Sequence, residues 1–164
     1  MAVFFLETSA LLKRYKEETG SDLVRLLFSL QQQGDLLVAS YFALIETESA
    51  LTRGFKGRLF DEETFRLSIR RLTGDFRILF IQPVPLSTLR ICSRLVRNHA
   101  LKAADALHLA TAIELTERSG ARPIFASSDE ELVRAATQET FQVVNPTEKE
   151  VEGNLLRQRR LWQV

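Results

Sequence analysis

Apolar residues along this chain fall into two patterns. Short continuous runs, Ala2 to Leu6, Leu36-Leu37-Val38-Ala39, Ile78-Leu79-Phe80-Ile81, Pro123-Ile124-Phe125-Ala126 and Gln142-Val143-Val144, read as buried strands. Between them apolar residues return every three or four positions, which predicts helices. One opens at Thr8-Ser9, good N-cap types, and runs through Leu11, Leu12 and Tyr15; a second starts at Ser21, with Leu23, Leu26, Leu27 and Leu30 on one face, and ends near Gly34. Further helices run from Tyr41 to Phe55, from Asp61 to Phe76, from Ser87 to Asn98 and from Asp129 through Ala136. Strands alternating with helices imply βαβ units, a parallel sheet of about five strands and helices on both of its faces.

One predicted helix stands apart. Lys102 to Ile113, continuing to a stop at Gly120, is apolar on nearly every side, the mark of a helix inside a domain. Asp105 lies in it and needs an explanation, because an ionised carboxylate away from water must be paired, hydrogen-bonded or metal-bound. An acid in a first turn complements the helix dipole, which is one account. A metal site is the other, and it requires further acids at the same place.

Composition narrows the chemistry. At 164 residues the chain suits one domain with a real core, expected over residues 1–147, with 148–164 as a helical or frayed C-terminal extension. A net charge of +1 advertises neither nucleic acid nor membrane. Cys92 is the only cysteine, so intramolecular disulfides and thiolate zinc sites are excluded and a reducing, cytoplasmic setting is expected. The apolar opening meets Glu7 too soon to be a signal core or a membrane span. There is no P-loop, no G-x-G-x-x-G and no G-x-S-x-G.

In an open α/β sheet, ligands bind at the carboxyl ends of strands, near the point where strand order reverses. Glu7 follows the first strand and Asp129 follows the fourth after Ser127-Ser128, while Glu46 and Asp105 sit on helices that can pack above that edge. Each has a structural alternative. Asp129, before Glu130-Glu131-Leu132-Val133, stands where a helix N-cap is usual. Glu7 is a weaker cap type than its neighbours Thr8 and Ser9, so capping explains it less well. Glu48 reads as a solvated residue. Clustered carboxylates with no thiol and only two histidines in the chain suit a hard cation bound through oxygen.

At these four places the sequence resembles a known family. Phe4-Phe5-Leu6-Glu7-Thr8-Ser9-Ala10-Leu11-Leu12-Lys13, Ile45-Glu46-Thr47-Glu48-Ser49-Ala50-Leu51, Ala104-Asp105-Ala106-Leu107-His108-Leu109-Ala110 and Ser127-Ser128-Asp129 are similar to the motifs of PIN-domain ribonucleases, above all the VapC toxins of toxin–antitoxin pairs. The resemblance spans roughly residues 3 to 146, and its third patch is the most specific. It implies a three-layer α/β/α domain and hydrolysis of RNA phosphodiester bonds. It also implies Mg2+ or Mn2+ held by Glu7, Glu46, Asp105 and Asp129, with Ser9 beside the site. Alignment on Ser49-Ala50-Leu51 places the family glutamate at Glu46.

There is one departure. The family has aspartate where this chain has Glu7, and the added methylene moves the carboxylate by about 1.5 Å at an ion that demands near-octahedral geometry. Two readings follow: an active metal-dependent endoribonuclease toxin, or a catalytically impaired module of the same fold that binds RNA or protein. His108, three residues after Asp105, has two readings, a hydrogen-bonding partner of the site's ligands or, as expected on a mostly apolar helix, a hydrogen-bonded core histidine, and no catalytic role is assigned to it. Lys13 and Arg14, the Arg90, Arg94 and Arg97 stripe, and Arg53, Lys56, Arg58, Arg66, Arg70 and Arg71 are the candidate phosphate contacts. Phe60, Phe65 and Phe76 are expected at the surface of a helical hairpin which, by the same resemblance, serves contacts with an antitoxin and with a second copy of the chain.

Overall fold

The computed structural model describes residues 1–148 together with Gly153 and Leu155. Five strands, β1 (Val3–Leu6), β2 (Leu36–Ser40), β3 (Phe80–Gln82), β4 (Ile124–Ala126) and β5 (Val143–Val144), form one all-parallel sheet in the order β3-β2-β1-β4-β5. Strand order therefore reverses at β1, between β2 and β4.

The helices are α1 (Thr8–Leu11), α2 (Ser21–Gln31), α3 (Tyr41–Lys56), α4 (Glu62–Asp75), α5 (Thr88–His99), α6 (Ala103–Ser119) and α7 (Glu130–Gln138). Side chains of adjacent strand residues point to opposite faces, and this divides the core in two. Phe4, Leu6, Leu37 and Ala39 pack with α1 to α4, while Phe5, Val38 and Phe125 pack with α5 to α7. Phe5 and Phe125 stack 5.6 Å apart across β1 and β4. The result is the expected three-layer α/β/α domain.

Helix α6 is the buried helix its composition announces: Ala106, His108, Leu109, Ala110, Thr111, Ala112 and Glu114 are all buried. Gly120 ends it in the left-handed conformation, φ 70°, where glycine carries no Cβ penalty. Gly34 likewise lies at φ 97° just beyond α2.

Three expectations are corrected. The first helix stops at Leu11 and passes into a 3-10 turn, Leu12–Arg14. The third strand begins at Phe80, two residues late, because the amides of Ile78 and Leu79 both donate to the Asp75 carbonyl and keep the chain turned. Phe60, Phe65 and Phe76 are partly buried against the core. Phe65 stacks on Phe55 at 4.7 Å, and a Cβ on Gly54 would lie 2.6 Å from the Phe60 ring. The apolar side chains exposed around that hairpin include instead Ile45, Leu59, Leu67 and Ile78. Of the extension, Gly153 and Leu155 are helical, and Leu155 is buried with the core of the α1 to α4 face. The remainder of 149–164 lies outside the described residues. Among the described residues no helix is long and apolar enough to cross a membrane.

Candidate active site at the carboxyl edge of the sheet

The β1 ladder runs one bond past the strand: the Glu7 amide donates to the Ala126 carbonyl at 3.0 Å. Glu7 is thereby the last extended residue and the N-cap of α1, at φ −79° and ψ 163°. This corrects the expectation that Thr8 or Ser9 caps the helix; the end of the ladder decides the cap position. Glu7 is 5% exposed. Its Oε2 accepts three hydrogen bonds, from the Ser9 amide at 3.0 Å, the Ser9 hydroxyl at 2.6 Å and the Ser127 hydroxyl at 2.9 Å.

Ser127 ends the neighbouring strand, and its amide donates to the Val144 carbonyl. Its hydroxyl also accepts the Asp129 amide at 3.1 Å, while the Ser9 hydroxyl accepts the Ser128 amide at 2.8 Å. Two serines thus stitch the exits of β1 and β4 together around the Glu7 carboxylate. Ser128 Oγ is buried with no hydrogen-bond partner among the described residues, an arrangement native proteins seldom keep without a water or an ion.

Asp129 is the N-cap of α7, its Oδ1 accepting the Leu132 amide at 2.9 Å. Asp105 occupies the first turn of α6. It is half-buried and accepts no hydrogen bond from the described residues. Burial raises its pKa above the ordinary carboxylate value, and the charges of Asp129 and then Glu7 raise it further, against smaller opposing effects of Lys102 and His108. Asp105, Asp129 and Glu7 therefore share one electrostatic field.

Glu46 is held separately. Its Oε2 takes the Thr8 hydroxyl at 2.6 Å and His108 Nε2 at 2.6 Å. Burial works to raise its pKa, but the His108 and Thr8 hydrogen bonds outweigh that, with His108 and Arg53 charges adding, and the net direction is down. Glu48 is exposed, as expected for a solvated residue. His108 is fully buried, with Nδ1 3.2 Å from the Ser40 hydroxyl. The roles of Ser127, Thr8 and Ser40 were not legible from sequence; the i, i+3 spacing of Asp105 and His108 on one helix was the only signal for the histidine's place.

Lys13 and Arg14, the candidate phosphate contacts near the first acid, are each ion-paired within the fold. Lys13 is buried and paired with Glu18 at 2.8 Å. Arg14 is paired with Asp75 at 2.9 Å and lies over the Phe28 ring. Arg94 holds Glu139 with both terminal nitrogens. Arg90, Arg97, Arg53, Lys56, Arg58, Arg70 and Arg71 are exposed.

Whether these acids fit a cation can be judged from their environment. Among the described residues no three His, Cys, Asp or Glu side chains stand close enough together to ligate one ion as placed. The chemistry of the donor set nevertheless suits a hard cation: oxygen atoms only, mutually repelling carboxylates with Asp105 unbonded, and an orphaned hydroxyl at Ser128.

The profile of the PIN domain matches residues 4–138. No curated protein sequence matches the chain. Among solved structures, the chain is similar to one in FitAB bound to an IR36 DNA fragment, with 19% identity, TM-score 0.63, and 90% of this chain and 97% of that one covered. It is similar to PAE2754 from Pyrobaculum aerophilum, with 17% identity, TM-score 0.61, and 95% and 94% covered. A third likeness is to a chain of VapBC2 from Rickettsia felis bound to a DNA fragment from their promoter, with 12% identity, TM-score 0.62, and 87% and 98% covered. At such identities these likenesses speak for the fold, and the profile match over most of the chain speaks for the family: the protein belongs to the PIN domain family.

Proposed function

We propose that this protein is a divalent-cation-dependent endoribonuclease, the toxin of a toxin–antitoxin pair. The observation that carries the reading is Asp105 itself, half-buried in the first turn of α6 with no hydrogen bond from the described residues and subject to the like charges of Asp129 and Glu7, the residues at the exits of β4 and β1. Such a group of acids calls for a cation. Family membership and the motif resemblance to VapC toxins support it, as does the fold shared with a VapBC2 chain.

Asp105 and Glu7 would be the main ligands of Mg2+ or Mn2+, with Asp129 and Glu46 completing the set or orienting water. When bound, the ion lowers the pKa of a water and polarises a phosphoryl oxygen. The chain's own part is to hold those carboxylates: Ser9 and Ser127 fix Glu7, the Leu132 amide fixes Asp129, and Thr8 fixes Glu46. Exposed arginines and Lys56 on α3 to α5 are the phosphate contacts in this reading. We place antitoxin contacts on the α3–α4 hairpin, where Leu59 and Leu67 are exposed, and take the working form to be a cytoplasmic homodimer.

The test is cleavage of a labelled set of single-stranded RNAs and tRNAs. Cleavage is expected with Mg2+ or Mn2+ and none with chelator; cleavage that survives chelator overturns the mechanism. A second reading, the impaired module, is favoured by Glu7 standing at the family's aspartate position with one oxygen tied to three donors. It predicts that Glu7→Asp raises the rate at least about tenfold, since misplacement near 1 Å costs about a hundredfold. An unchanged rate removes it.

A further inference from the structure

His108 is bound at both ends of its ring in a site that only its own helix could have suggested. It is fully buried on α6, one turn after Asp105. Nε2 meets Glu46 Oε2 at 2.6 Å and the Thr8 hydroxyl at 3.1 Å, Nδ1 meets the Ser40 hydroxyl at 3.2 Å, and the Phe42 ring packs 5.6 Å away. Ser40 is the last residue of β2 and the N-cap of α3, accepting the Ala43 amide at 2.9 Å. The ring therefore spans from α6 to both the start of α3 and the turn of α3 that carries Glu46.

Its proton follows from these partners. Ionised Glu46 only accepts, so Nε2 donates to it. The Ser40 oxygen already accepts an amide, and its single O–H is free to donate to Nδ1. Oε2 of Glu46 is thus claimed twice, by Thr8 and His108, and Oε1 receives no hydrogen bond among the described residues. An exposed carboxylate on a helix surface samples several rotamers; this one is held in a single orientation by a charge-assisted bond.

Resting on the nuclease reading above, we propose that His108 is a positioning residue: it fixes the Glu46 carboxylate on α3 relative to Asp105 on α6, so that one oxygen remains for the reaction. Ser40 is itself fully buried, so the Ser40–His108–Glu46 chain orients a carboxylate and does not activate a nucleophile.

The experiment is a double-mutant cycle on RNA cleavage with Mg2+, using His108→Ala, Glu46→Gln and the pair, each with its urea unfolding midpoint. Loss of a group that orients a ligand costs about 10- to 100-fold. His108→Ala is expected to lower kcat by that factor with KM within about threefold, and to cost less than about threefold once Glu46→Gln is present. Independent, multiplying losses overturn the inference, as does a folded His108→Ala protein within about threefold of wild-type kcat. Should His108→Ala not fold, Thr8→Val removes the second donor to the same oxygen and is held to the same outcomes. A readout free of activity is the nitrogen-15 spectrum of the metal-free protein: Nε2 carries a proton whose resonance moves in Glu46→Ala, and a ring with no proton on Nε2 overturns the inference. If the unaltered protein cleaves no RNA with metal, the nuclease reading fails together with this one; an active wild type beside an active His108→Ala defeats the inference alone.

Discussion

Asp105→Asn is expected to abolish metal-dependent cleavage and, in the same molecule, to make the metal-free protein more stable at neutral pH. The first effect follows from the ligand role proposed for it: loss of at least about a hundredfold is the scale that even misplacement of such a group produces. The second follows from the direction of its pKa. Burial, then Asp129, then Glu7 raise it above 3.8, so the folded state holds the proton more tightly than the unfolded chain does. Stability contributed by that proton is fully present below the unfolded value and is lost as pH rises through the folded one. Near neutral pH the wild type therefore carries the whole cost of the ionised group, and the neutral amide does not. Urea midpoints without metal should favour the variant at about pH 7 and converge with wild type near pH 3, below both values. Added Mg2+ should raise the wild-type midpoint by ligand linkage and leave the variant's unchanged. A variant no more stable than wild type at neutral pH would show that the three acids do not burden the fold. Loss of function with gain of stability is the pattern expected where function requires a strained cluster of charge.

What the sequence disclosed, and what it hid, divides along the range of the interactions. The strands and α6 were legible because their signals are local: a continuous apolar run, or apolar residues on every side, can be satisfied only by burial. The departures come from contacts that apolar patterning does not carry, several of them between residues far apart in the chain. Asp75 draws the amides of Ile78 and Leu79 back and is itself held by Arg14, 61 positions away, so β3 starts late and Arg14 is not a surface cation. The α1 cap falls on Glu7 because β4 supplies the Ala126 carbonyl that ends the ladder. At the site the same rule applies. Asp129 is the N-cap of α7, as its place before Glu130-Glu131 suggested, and its charge also acts on Asp105, so capping alone does not exhaust its surroundings. Ser127 and Thr8 carry no distinguishing local pattern, and their partners are respectively 120 and 38 positions away.

Glu7→Gln is expected to separate the structural task that Glu7 performs from the ligand task proposed for it. Every hydrogen bond its side chain accepts converges on Oε2, from the Ser9 amide and from the Ser9 and Ser127 hydroxyls. An amide oxygen can take that position, with the NH2 group in place of Oε1, so the N-cap of α1 and the link between the exits of β1 and β4 survive. The negative charge does not. Cleavage should then fall by at least about a hundredfold, on the scale of a misplaced catalytic group, while the urea midpoint of the metal-free protein stays close to wild type. Glu7→Ala provides the contrast. It removes the cap, which alone costs about 0.5–2 kcal/mol, and leaves the buried Ser127 hydroxyl without its carboxylate acceptor. Its midpoint should therefore drop as its activity does. A Glu7→Gln protein that is destabilised as much as Glu7→Ala would mean that the carboxylate charge itself holds the two strand exits together. A Glu7→Gln protein that keeps wild-type cleavage would mean that Glu7 is a cap and not a ligand, and that the ion is held by Asp105 and Asp129 without it.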